Sequence, residues 1–377
     1  MRVAHVVASY HPRVGGVETH VRRIAEACAV AGDEVTVLTH AAGTAPAAEG
    51  TGGVRVLRFP ETVRSARYPL SLPLFRYLAK HAGEFEVAHA HSYHTLVGQA
   101  AVRSGLPFVF TPHYHGAGHT RAASLMHRIY RPAGARVLAG ADAIICVSQA
   151  ERDLVTADFP GIADKVRVIP NGTDPRPAAP RAPDLPSGPQ LVLTVGRVER
   201  YKNVDLIIRA FSGVRAEATL VVVGDGPDRP RLERLAAGAG RVRFTGRVSD
   251  AELGALLSAA AVVTSASAHE AFGLAMADGL TAGAQVVASG IPAHREIGRL
   301  AGPAAPICYV DPRNTTDFAV ALDTALAKGR AAAGQAWLPS WSEVADQTRD
   351  LYAAVARQAA SCSRHGRSRR VRHEEPA

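Results

Sequence analysis

Apolar runs rich in Val, Ile and Phe alternate with segments of helical spacing along most of the chain. In the first half, the apolar runs predict strands. Their sequences are RVAHVVAS (residues 2–9), EVTVLTH (34–40), VRVLRF (54–59), VAHAH (87–91), FVFTPH (108–113), AIICVS (143–148) and VRVIPNG (166–172). Between the first two, Val17, Val21, Ile24 and Cys28 recur at the spacing of an amphipathic helix, which Gly32 can end. This alternation predicts a parallel sheet with helices on both faces.

A proline-rich segment then interrupts the pattern. Residues 171–190 contain six prolines, which cannot support regular structure. After this segment the alternation restarts and predicts a second α/β unit of similar size. Its strands are LVLTVGR (191–197), TLVVVGDGP (219–227), VRFTGRV (242–248), AVVTSAS (261–267) and AQVVAS (284–289), with helices over 203–211 and near 230–237.

The chain is therefore predicted to fold as two doubly wound, Rossmann-like α/β domains that face a central cleft, lined by the carboxyl ends of the strands. The predicted segments are an N-terminal domain (1–172), a linker (173–189), a C-terminal domain (190–338), a final amphipathic helix (339–360) and a basic disordered tail (361–377). Residues that bind ligands should therefore directly follow strands.

Composition narrows the class of protein. The 377 residues are 47% apolar, enough for sizeable cores, and carry a formal net charge of +9. A basic surface favours an anionic ligand, an anionic membrane or nucleic acid. No nucleic-acid motif accompanies the charge, so we expect no nucleic-acid partner. The four scattered cysteines fit a reducing cytosol. Because we expect neither a signal peptide nor a membrane-spanning helix, we expect a cytoplasmic protein.

Two predicted strand ends carry residues suited to phosphate. Gly15 and Gly16 follow the first strand and open a helix, where backbone N–H groups can approach an anion closely. The strand LVLTVGR is followed by Arg197 and Lys202, two cations that could hold a diphosphate. Neither feature is specific by itself, and the absence of a GxGxxG motif argues against NAD or FAD.

The stretch SASAHEAFGLAMADGLTAG (265–283) places one acid before a predicted helix and another inside it. Glu270 precedes a helix that should begin near Phe272 or Gly273, where free N–H groups favour a phosphate. Asp278 lies more than a helical turn further on. Glu270 and Asp278 could therefore bind the two ends of one extended ligand that has hydroxyls at both ends and phosphate between them, such as a nucleotide sugar. From spacing alone, two ordinary helix acids are the simpler interpretation.

The motifs in combination give a stronger indication. The chain resembles family 4 of the retaining glycosyltransferases, which have the GT-B fold. The matching pieces occur in the order GGVETHVRRIA, VAHAHS, FVFTPHYHG, AIICVSQAERD, KVRVIPNGTD, VGRVERYKN, VVVGDGP, FTGRVSDAEL and HEAFGLAMADGLTAGAQVVASGIPAHREI. They cover nearly everything up to about residue 300.

The resemblance implies roles for individual residues. Arg197 and Lys202 match the pair that binds the donor diphosphate, and Glu270 matches the first acid of the Glu-(seven residues)-Glu motif, near the donor hexose. His113 matches a histidine that borders the donor hexose and the acceptor, so these four are the expected catalytic residues. The residues expected to bind the donor are Gly15, Gly16, Gly196, Arg197, Lys202, Val248, Glu270, Ala271, Phe272, Gly273, Leu274 and Asp278.

One motif position departs from the family. The second acid, which usually binds ribose hydroxyls, is Asp278 followed by Gly279, where the family usually has Glu-Ala. Aspartate is one methylene shorter, so the ribose contact could weaken, pass through water or need a shift of the helix. The change could also alter the choice of nucleotide.

The resemblance further implies retaining transfer from a nucleoside diphosphate sugar, with UDP-sugar as the expected co-substrate and no cofactor or metal. Clustered histidines keep a metallohydrolase open as a rival. Those histidines are His89, His91, His94, His113, His115 and His119. We expect His91, His113 and His115 instead to shape an acceptor pocket by hydrogen bonding. A sugar-nucleotide epimerase and a non-catalytic sugar-nucleotide binder are further alternatives.

The acceptor stays open at this point. Basic segments interleaved with apolar residues, over 63–81 and 121–137, suit a membrane surface or an ordinary solvated helix. A lipid-linked or polysaccharide precursor at the membrane is therefore one expectation. A small polyol, aminocyclitol or antibiotic intermediate is the one we favour, because the sequence predicts no firm membrane anchor.

Overall fold

The computed structural model describes residues 1–41, 47–64, 69–116, 121–174, 190–238, 240–331 and 338–371. It divides into two compact units, Met1–Pro170 with Trp341–Ala377 and Asn171–Ser340. These divisions lie within two residues of the domain ends drawn from the sequence at 172 and 338. Most of the predicted linker, residues 175–189, lies outside the described residues.

The first unit is built on an eight-stranded sheet with the order β3-β4-β2-β1-β5-β6-β7-β8. The strands are β1 (Arg2–Val6), β2 (Glu34–Ala41), β3 (Ala47–Thr51), β4 (Val54–Pro60), β5 (Val87–His91), β6 (Phe108–Thr111), β7 (Ala143–Cys146) and β8 (Val166–Val168). Only β3, paired with β4, runs antiparallel among these strands. Buried strands such as β6 and β7 are almost entirely apolar because helices cover both faces of the sheet.

The helices of the first unit pack against this sheet. They are α1 (Gly16–Val30), α2 (Leu72–Lys80), α3 (Val97–Ser104), α4 (Arg121–Gly140), α5 (Gln149–Asp158) and the terminal α12 (Trp341–Val371), with 3-10 turns at Ala82–Glu84 and Pro160–Lys165. Serine starts two of them, because the Ser71 hydroxyl accepts from the Leu74 N–H and the Ser148 hydroxyl from the Glu151 N–H.

The terminal helix α12 is longer than the sequence pattern predicts. It was expected to end at residue 360 and to be followed by a disordered tail, but it continues to Val371. A helix already formed adds residues at little cost, and arginine is a good helix former, which explains the extension. Buried Val344 and Tyr352 hold its first turns against the first unit. Within the described residues, we find no helix with the length and apolarity needed to span a bilayer.

The second unit has a six-stranded, fully parallel sheet with the order β11-β10-β9-β12-β13-β14. The strands are β9 (Gln190–Val195), β10 (Ala218–Val223), β11 (Val242–Gly246), β12 (Ala260–Ser265), β13 (Gln285–Ser289) and β14 (Ile307–Val310). The helices are α6 (Val204–Phe211), α7 (Arg229–Ala236), α8 (Asp250–Ala259), α9 (Leu274–Thr281), α10 (Pro292–Ala301) and α11 (Thr315–Lys328), with a 3-10 turn at Arg200–Lys202.

Both sheets are doubly wound, as predicted. The strand order reverses beside β1 in the first unit, between β1 and β5, and beside β9 in the second, between β9 and β12. At such a reversal the two chain crossovers depart to opposite faces, and a crevice opens beyond the carboxyl ends of the strands. Each unit therefore has one favoured place for a ligand.

Candidate active site

In the second unit, the crevice lies beyond the ends of β9 and β12. A pocket there is lined by residues of both strand ends and of the segments that follow them. The lining residues are Thr194, Val195, Gly196, Arg197, Val198, Lys202, Val204, Val222, Val223, Ser265 and Ser267. Three of them, Gly196, Arg197 and Lys202, are among the residues predicted to bind the donor.

An ion pair between Lys202 and Glu270 is the main feature of this crevice. The two residues are 68 positions apart, and the Lys202 Nζ lies 2.5 Å from the Glu270 Oε1. Both side chains are only 17% exposed. The loop after β12 is fixed to the 3-10 turn by two hydrogen bonds, from the Ala268 N–H to the Tyr201 carbonyl (2.9 Å) and from the Asn203 side-chain amide to the Ala266 carbonyl (2.9 Å). These bonds hold the two charged groups together.

Both members of the pair are charged at neutral pH. Burial alone would raise the pKa of Glu270, but the Lys202 ammonium outweighs it, helped by His294 and the Ser267 hydroxyl, so the pKa is lowered. Burial would likewise lower the pKa of Lys202, and the Glu270 carboxylate reverses this, so that pKa is raised. The crevice thus holds a fixed positive and a fixed negative group side by side.

Arg197 adds a second positive charge. It follows Gly196 at the end of β9, is 61% exposed, and its guanidinium lies 2.5 Å from the Glu199 carboxylate. The two strand ends approach closely because Gly224 has no side chain: an added Cβ would lie 2.0 Å from the Gly196 carbonyl oxygen. Gly224 was not among the predicted site residues, although it belongs to the VGDGP motif.

The helix α9 begins beside the ion pair. Gly273 precedes its first residue with φ +111°, a left-handed conformation that suits glycine, and no side chain in the described part of the chain caps this end. The first N–H groups of α9 therefore face out of the helix at its positive end. Phe272 is buried, whereas Ala271 and Leu274 are half-buried on either side. The predicted helix start near residues 272–273 agrees with this position.

Asp278 and Gly279 lie in the middle of α9. Asp278 is half-buried. An added Cβ on Gly279 would lie 2.7 Å from a methyl carbon of Val263 on β12, so the glycine allows α9 to pack closely on that strand. The chain thus departs from the family pattern at two adjacent positions. Asp278 is the shorter acid, and Gly279 lets the helix that carries it pack closely on the sheet.

His294 is a residue of this region that the sequence analysis missed. It lies on α10, is fully buried, and its Nδ1 is 2.8 Å from the Ser289 carbonyl oxygen at the end of β13. The Ser289 hydroxyl donates to the Ser267 carbonyl (2.7 Å) and thereby joins the ends of β12 and β13. No sequence spacing indicated His294, because its neighbours come from three separate strand ends.

Val248, another residue predicted to bind the donor, lies apart from this group in the second sheet. It follows β11, the edge strand, and is half-buried. β10 separates that strand from β9, and Val248 is not among the residues that line the pocket.

The corresponding place in the first unit carries histidines instead of an ion pair. His91 is the last residue of β5, and His113 follows β6 with φ +46°. Their ring centroids are 6.0 Å apart, and the ring of His20, on α1, lies 4.7 Å from that of His113. His91 also contacts His5 on β1, whose Nδ1 shares a 3.0 Å hydrogen bond with His91 Nε2.

The imidazoles of His5, His91 and His113 are neutral at neutral pH. Burial lowers the pKa of His5 to about 3, with a smaller effect from His20. Burial, and then the neighbouring histidines, place the pKa values of His91 and His113 well below the usual range. His91 Nδ1 and His113 Nε2 have no hydrogen-bond partner among the residues that the structure describes. Two neutral hydrogen-bonding atoms are therefore available to an uncharged ligand.

His115, the third predicted acceptor residue, belongs to a neighbouring aromatic group. Its ring stacks on that of His94 at 4.7 Å. The intervening Tyr114 is anchored by a buried carboxylate, since Glu151 accepts both the Tyr114 N–H (2.5 Å) and the Val147 N–H (2.7 Å). Glu151 thus fixes the loop that carries His113 and His115. His119 lies outside the described residues.

The glycine pair at residues 15 and 16 lies where the sequence predicted it. Gly15 is the residue before α1 and has an extended backbone, and Gly16 is the first residue of that helix. An added Cβ on Gly16 would meet no atom within 4 Å, so open space lies beside it. This segment follows β1 at the crevice of the first unit.

The histidines of the first unit also meet a purely geometric condition for a metal. Two groups, His5 with His89 and His91, and His20 with His91 and His113, bring one nitrogen each within 4.8 Å of the others. Both groups consist of imidazole alone. His89 already uses both nitrogens, towards the Tyr352 hydroxyl (2.6 Å) and the Thr111 hydroxyl (2.7 Å).

Comparison with known proteins assigns the family. Residues 14–176 match the family described as Glycosyltransferase Family 4, and residues 189–328 match that described as Glycosyl transferases group 1. A GDP-mannose-dependent alpha-(1-6)-phosphatidylinositol dimannoside mannosyltransferase of Mycobacterium tuberculosis is 31% identical over 319 residues, 79% of this chain and 81% of the relative. The chain is a family 4 glycosyltransferase.

Further comparisons agree with this family 4 glycosyltransferase assignment. A D-inositol 3-phosphate glycosyltransferase of Xylanimonas cellulosilytica is 28% identical over 391 residues, 91% of this chain and 93% of the relative. The structure of a sucrose-phosphate synthase from Thermosynechococcus elongatus has a TM-score of 0.69 at 22% identity and covers 98% of this chain and 100% of that one. The fold is thus GT-B, and the enzyme is a hexosyltransferase that uses a sugar-nucleotide donor. The metallohydrolase, the epimerase and the non-catalytic binder are accordingly set aside.

Proposed function

We propose that this enzyme transfers a hexose or amino-hexose, with retention of anomeric configuration, from a UDP-sugar to a hydroxyl of a small polyol or aminocyclitol, such as an antibiotic intermediate. The observation that carries the proposal is the Lys202–Glu270 pair beside the start of α9. A cation and a helix N-terminus suit a diphosphate, and an ionised carboxylate suits hexose hydroxyls.

In the proposed reaction, the acceptor oxygen bonds to the anomeric carbon while the bond from that carbon to the diphosphate oxygen breaks. The acceptor proton passes to the departing phosphate oxygen, so charge and atoms balance. Lys202, Arg197 and the N–H groups of α9 stabilise the charge that develops on the diphosphate. Glu270 stays ionised and orients the hexose, and attack occurs on the face from which the diphosphate leaves. We propose that this chemistry needs no metal.

The cyclitol acceptor is supported by the relatives and by the histidines. The relative from Xylanimonas is named for inositol 3-phosphate, and the mycobacterial one for a phosphatidylinositol dimannoside. The neutral imidazoles of His91 and His113 suit hydroxyl groups, which both donate and accept. The mycobacterial relative is also named for GDP-mannose, so GDP-sugars are the rival donors.

A lipid-linked acceptor at a membrane is the second candidate. The observation that favours it is the outer face of α4, where Met126 and Ile129 are 42% and 67% exposed beside exposed Arg128. Apolar and basic side chains together suit an anionic lipid surface. Sedimentation with phosphatidylglycerol vesicles, compared for the wild type and Ile129→Glu, distinguishes the two candidates.

Release of nucleotide tests the proposal. UDP-, GDP-, ADP- and dTDP-sugars are incubated with the enzyme and EDTA, without acceptor, for the wild type and for Glu270→Ala. Slow release from one donor that the variant loses supports the proposal, and full turnover by an Arg197→Ala/Lys202→Ala variant contradicts it. With inositol and aminocyclitols as acceptors, the coupling constant of the product's anomeric proton then reports retention or inversion.

A further inference from the structure

One ring nitrogen of the buried His294 is left unsatisfied within the described part of the chain. Its Nδ1 lies 2.8 Å from the Ser289 carbonyl oxygen, which can only accept, so Nδ1 carries the proton. Nε2 is then a bare acceptor. It is fully buried and has no hydrogen-bond partner among the described residues. A buried, unsatisfied acceptor is unfavourable and calls for a reason.

The position of Nε2 supplies a reason. An ideal Cβ on Gly273 would lie 3.1 Å from His294 Cδ2 and 3.5 Å from Nε2, so the ring faces the residue that starts α9. The Glu270 carboxylate acts on the same imidazole, since it opposes the lowering of the His294 pKa by burial. Nε2 is thus directed at the junction where the Lys202–Glu270 pair meets the helix start.

The chemistry of Nε2 selects the part of the ligand. Burial, the largest influence, lowers the pKa of His294 although Glu270 opposes it, so the ring is neutral at physiological pH. A bare nitrogen acceptor repels phosphate oxygens and needs a donor. The groups of a sugar nucleotide that can donate at the Glu270 end are hexose hydroxyls.

We propose that His294 is a further donor-binding residue, whose Nε2 accepts a hydrogen bond from a hydroxyl of the transferred hexose. This inference rests on the proposed function, because it assumes that the hexose lies at Glu270. Gly273 faces the ring in the structure, so the contact forms when the backbone at this glycine turns aside, which its conformational freedom permits. His294 would then discriminate between hexoses at the position it contacts.

The test compares the affinities of a nucleoside diphosphate and its sugar conjugate in three variants. His294→Phe keeps a ring of similar size and removes the acceptor, and His294→Gln returns an acceptor oxygen near the position of Nε2. Tyr309→Phe is the matched control, since it removes a nearby 3.0 Å hydrogen bond to the His294 carbonyl and leaves the imidazole intact. Thermal unfolding checks each variant, and His294→Met replaces a phenylalanine variant that does not fold.

We expect His294→Phe to bind the sugar nucleotide about tenfold more weakly, with the diphosphate unchanged within about twofold. His294→Gln and Tyr309→Phe should keep the wild-type ratio of the two affinities. One monodeoxy donor should bind the wild type about tenfold more weakly than the full donor does. His294→Phe should bind the monodeoxy donor and the full donor equally well. Equal losses for diphosphate and sugar nucleotide, or no loss for either, would overturn the inference alone. A wild type that binds no sugar nucleotide would overturn the proposed function and the inference with it.

Discussion

The reversal of strand order between β1 and β5 in the first unit and the reversal between β9 and β12 in the second are equivalent places in two similarly wound sheets. The neutral His91 and His113 lie at the first, and the charged pair Lys202–Glu270 lies at the second. A fixed ion pair is suited to a charged ligand whose charge changes during reaction, whereas neutral imidazoles are suited to hydroxyl groups. Strand order therefore sets where a ligand lies, and the side chains at the strand ends set which ligand binds there.

Removal of the cation should have the largest effect. Lys202→Met takes away charge stabilisation of the diphosphate and leaves the Glu270 carboxylate buried without its partner. We expect transfer, measured as kcat/KM for the donor, to fall at least about a thousandfold, and urea unfolding to show a loss of about 3 kcal/mol.

A double variant separates the loss of transfer from the loss of stability. Lys202→Met/Glu270→Gln replaces the pair by uncharged groups, so stability should largely return while transfer stays lost. Recovery of transfer in the double variant would show that the ion pair serves the fold rather than the diphosphate.

Removal of the His113 imidazole should affect the acceptor and not the donor. We expect His113→Ala to lower kcat/KM for the acceptor about a hundredfold, because a hydrogen bond to the reacting hydroxyl is lost. The affinity for the nucleoside diphosphate should stay within about twofold of the wild type. An equal loss of diphosphate affinity would remove the distinction between the two regions.

Acid should weaken the first region selectively. The folded pKa of His5 is about 3 and its unfolded value about 6.5, so the unfolded chain binds more protons as pH falls below 6.5. Stability is then present above that pH and declines below it, by about 2 kcal/mol at pH 5 for His5 alone. His91 and His113 add in the same direction.

Urea unfolding between pH 7.5 and 5 measures this slope. His5→Gln should reduce it, whatever its effect on stability at pH 7.5. A slope identical in the variant and the wild type would mean that His5 does not titrate as its burial demands.

The smallest effect should come from Asp278 in α9, where the family usually has glutamate. Asp278→Glu restores the usual length of the acid on a helix that Gly279 holds close to Val263. We expect the affinity for the nucleoside diphosphate to change less than about fivefold, because the ion pair supplies most of the binding. A gain of a hundredfold or more, measured by calorimetry, would show that the shorter acid had disabled a ribose contact.

The sequence predicts the sheets better than their surroundings. Buried strands such as β7 and β10 are almost entirely apolar, and such runs are visible directly in the sequence. The edge strand β14 is four residues long and only partly buried, and α8 is apolar on nearly all sides, so neither produced a usable pattern. The helical extension of α12 was taken for a disordered tail because composition does not register the propagation of an existing helix.

Only part of the site could be predicted from the sequence, and the reason is physical. Lys202, Glu270 and Gly273 belong to short motifs, so order along the chain was enough to select them. The bond between Lys202 and Glu270 joins positions 68 apart, and only the fold brings them together. Gly224 and His294 matter through what they touch, the Gly196 carbonyl and the end of β13, which no local pattern records.

Binding of a bare nucleoside diphosphate shows most directly which of the two regions holds the diphosphate. UDP and GDP are titrated calorimetrically into the wild type, Lys202→Met and His113→Ala. The division between the two regions predicts that the wild type binds one of them, that Lys202→Met weakens this binding at least about thirtyfold, and that His113→Ala leaves it within about twofold. Equal weakening in both variants, or no binding by the wild type, would contradict the assignment of the diphosphate to the charged crevice of the second unit.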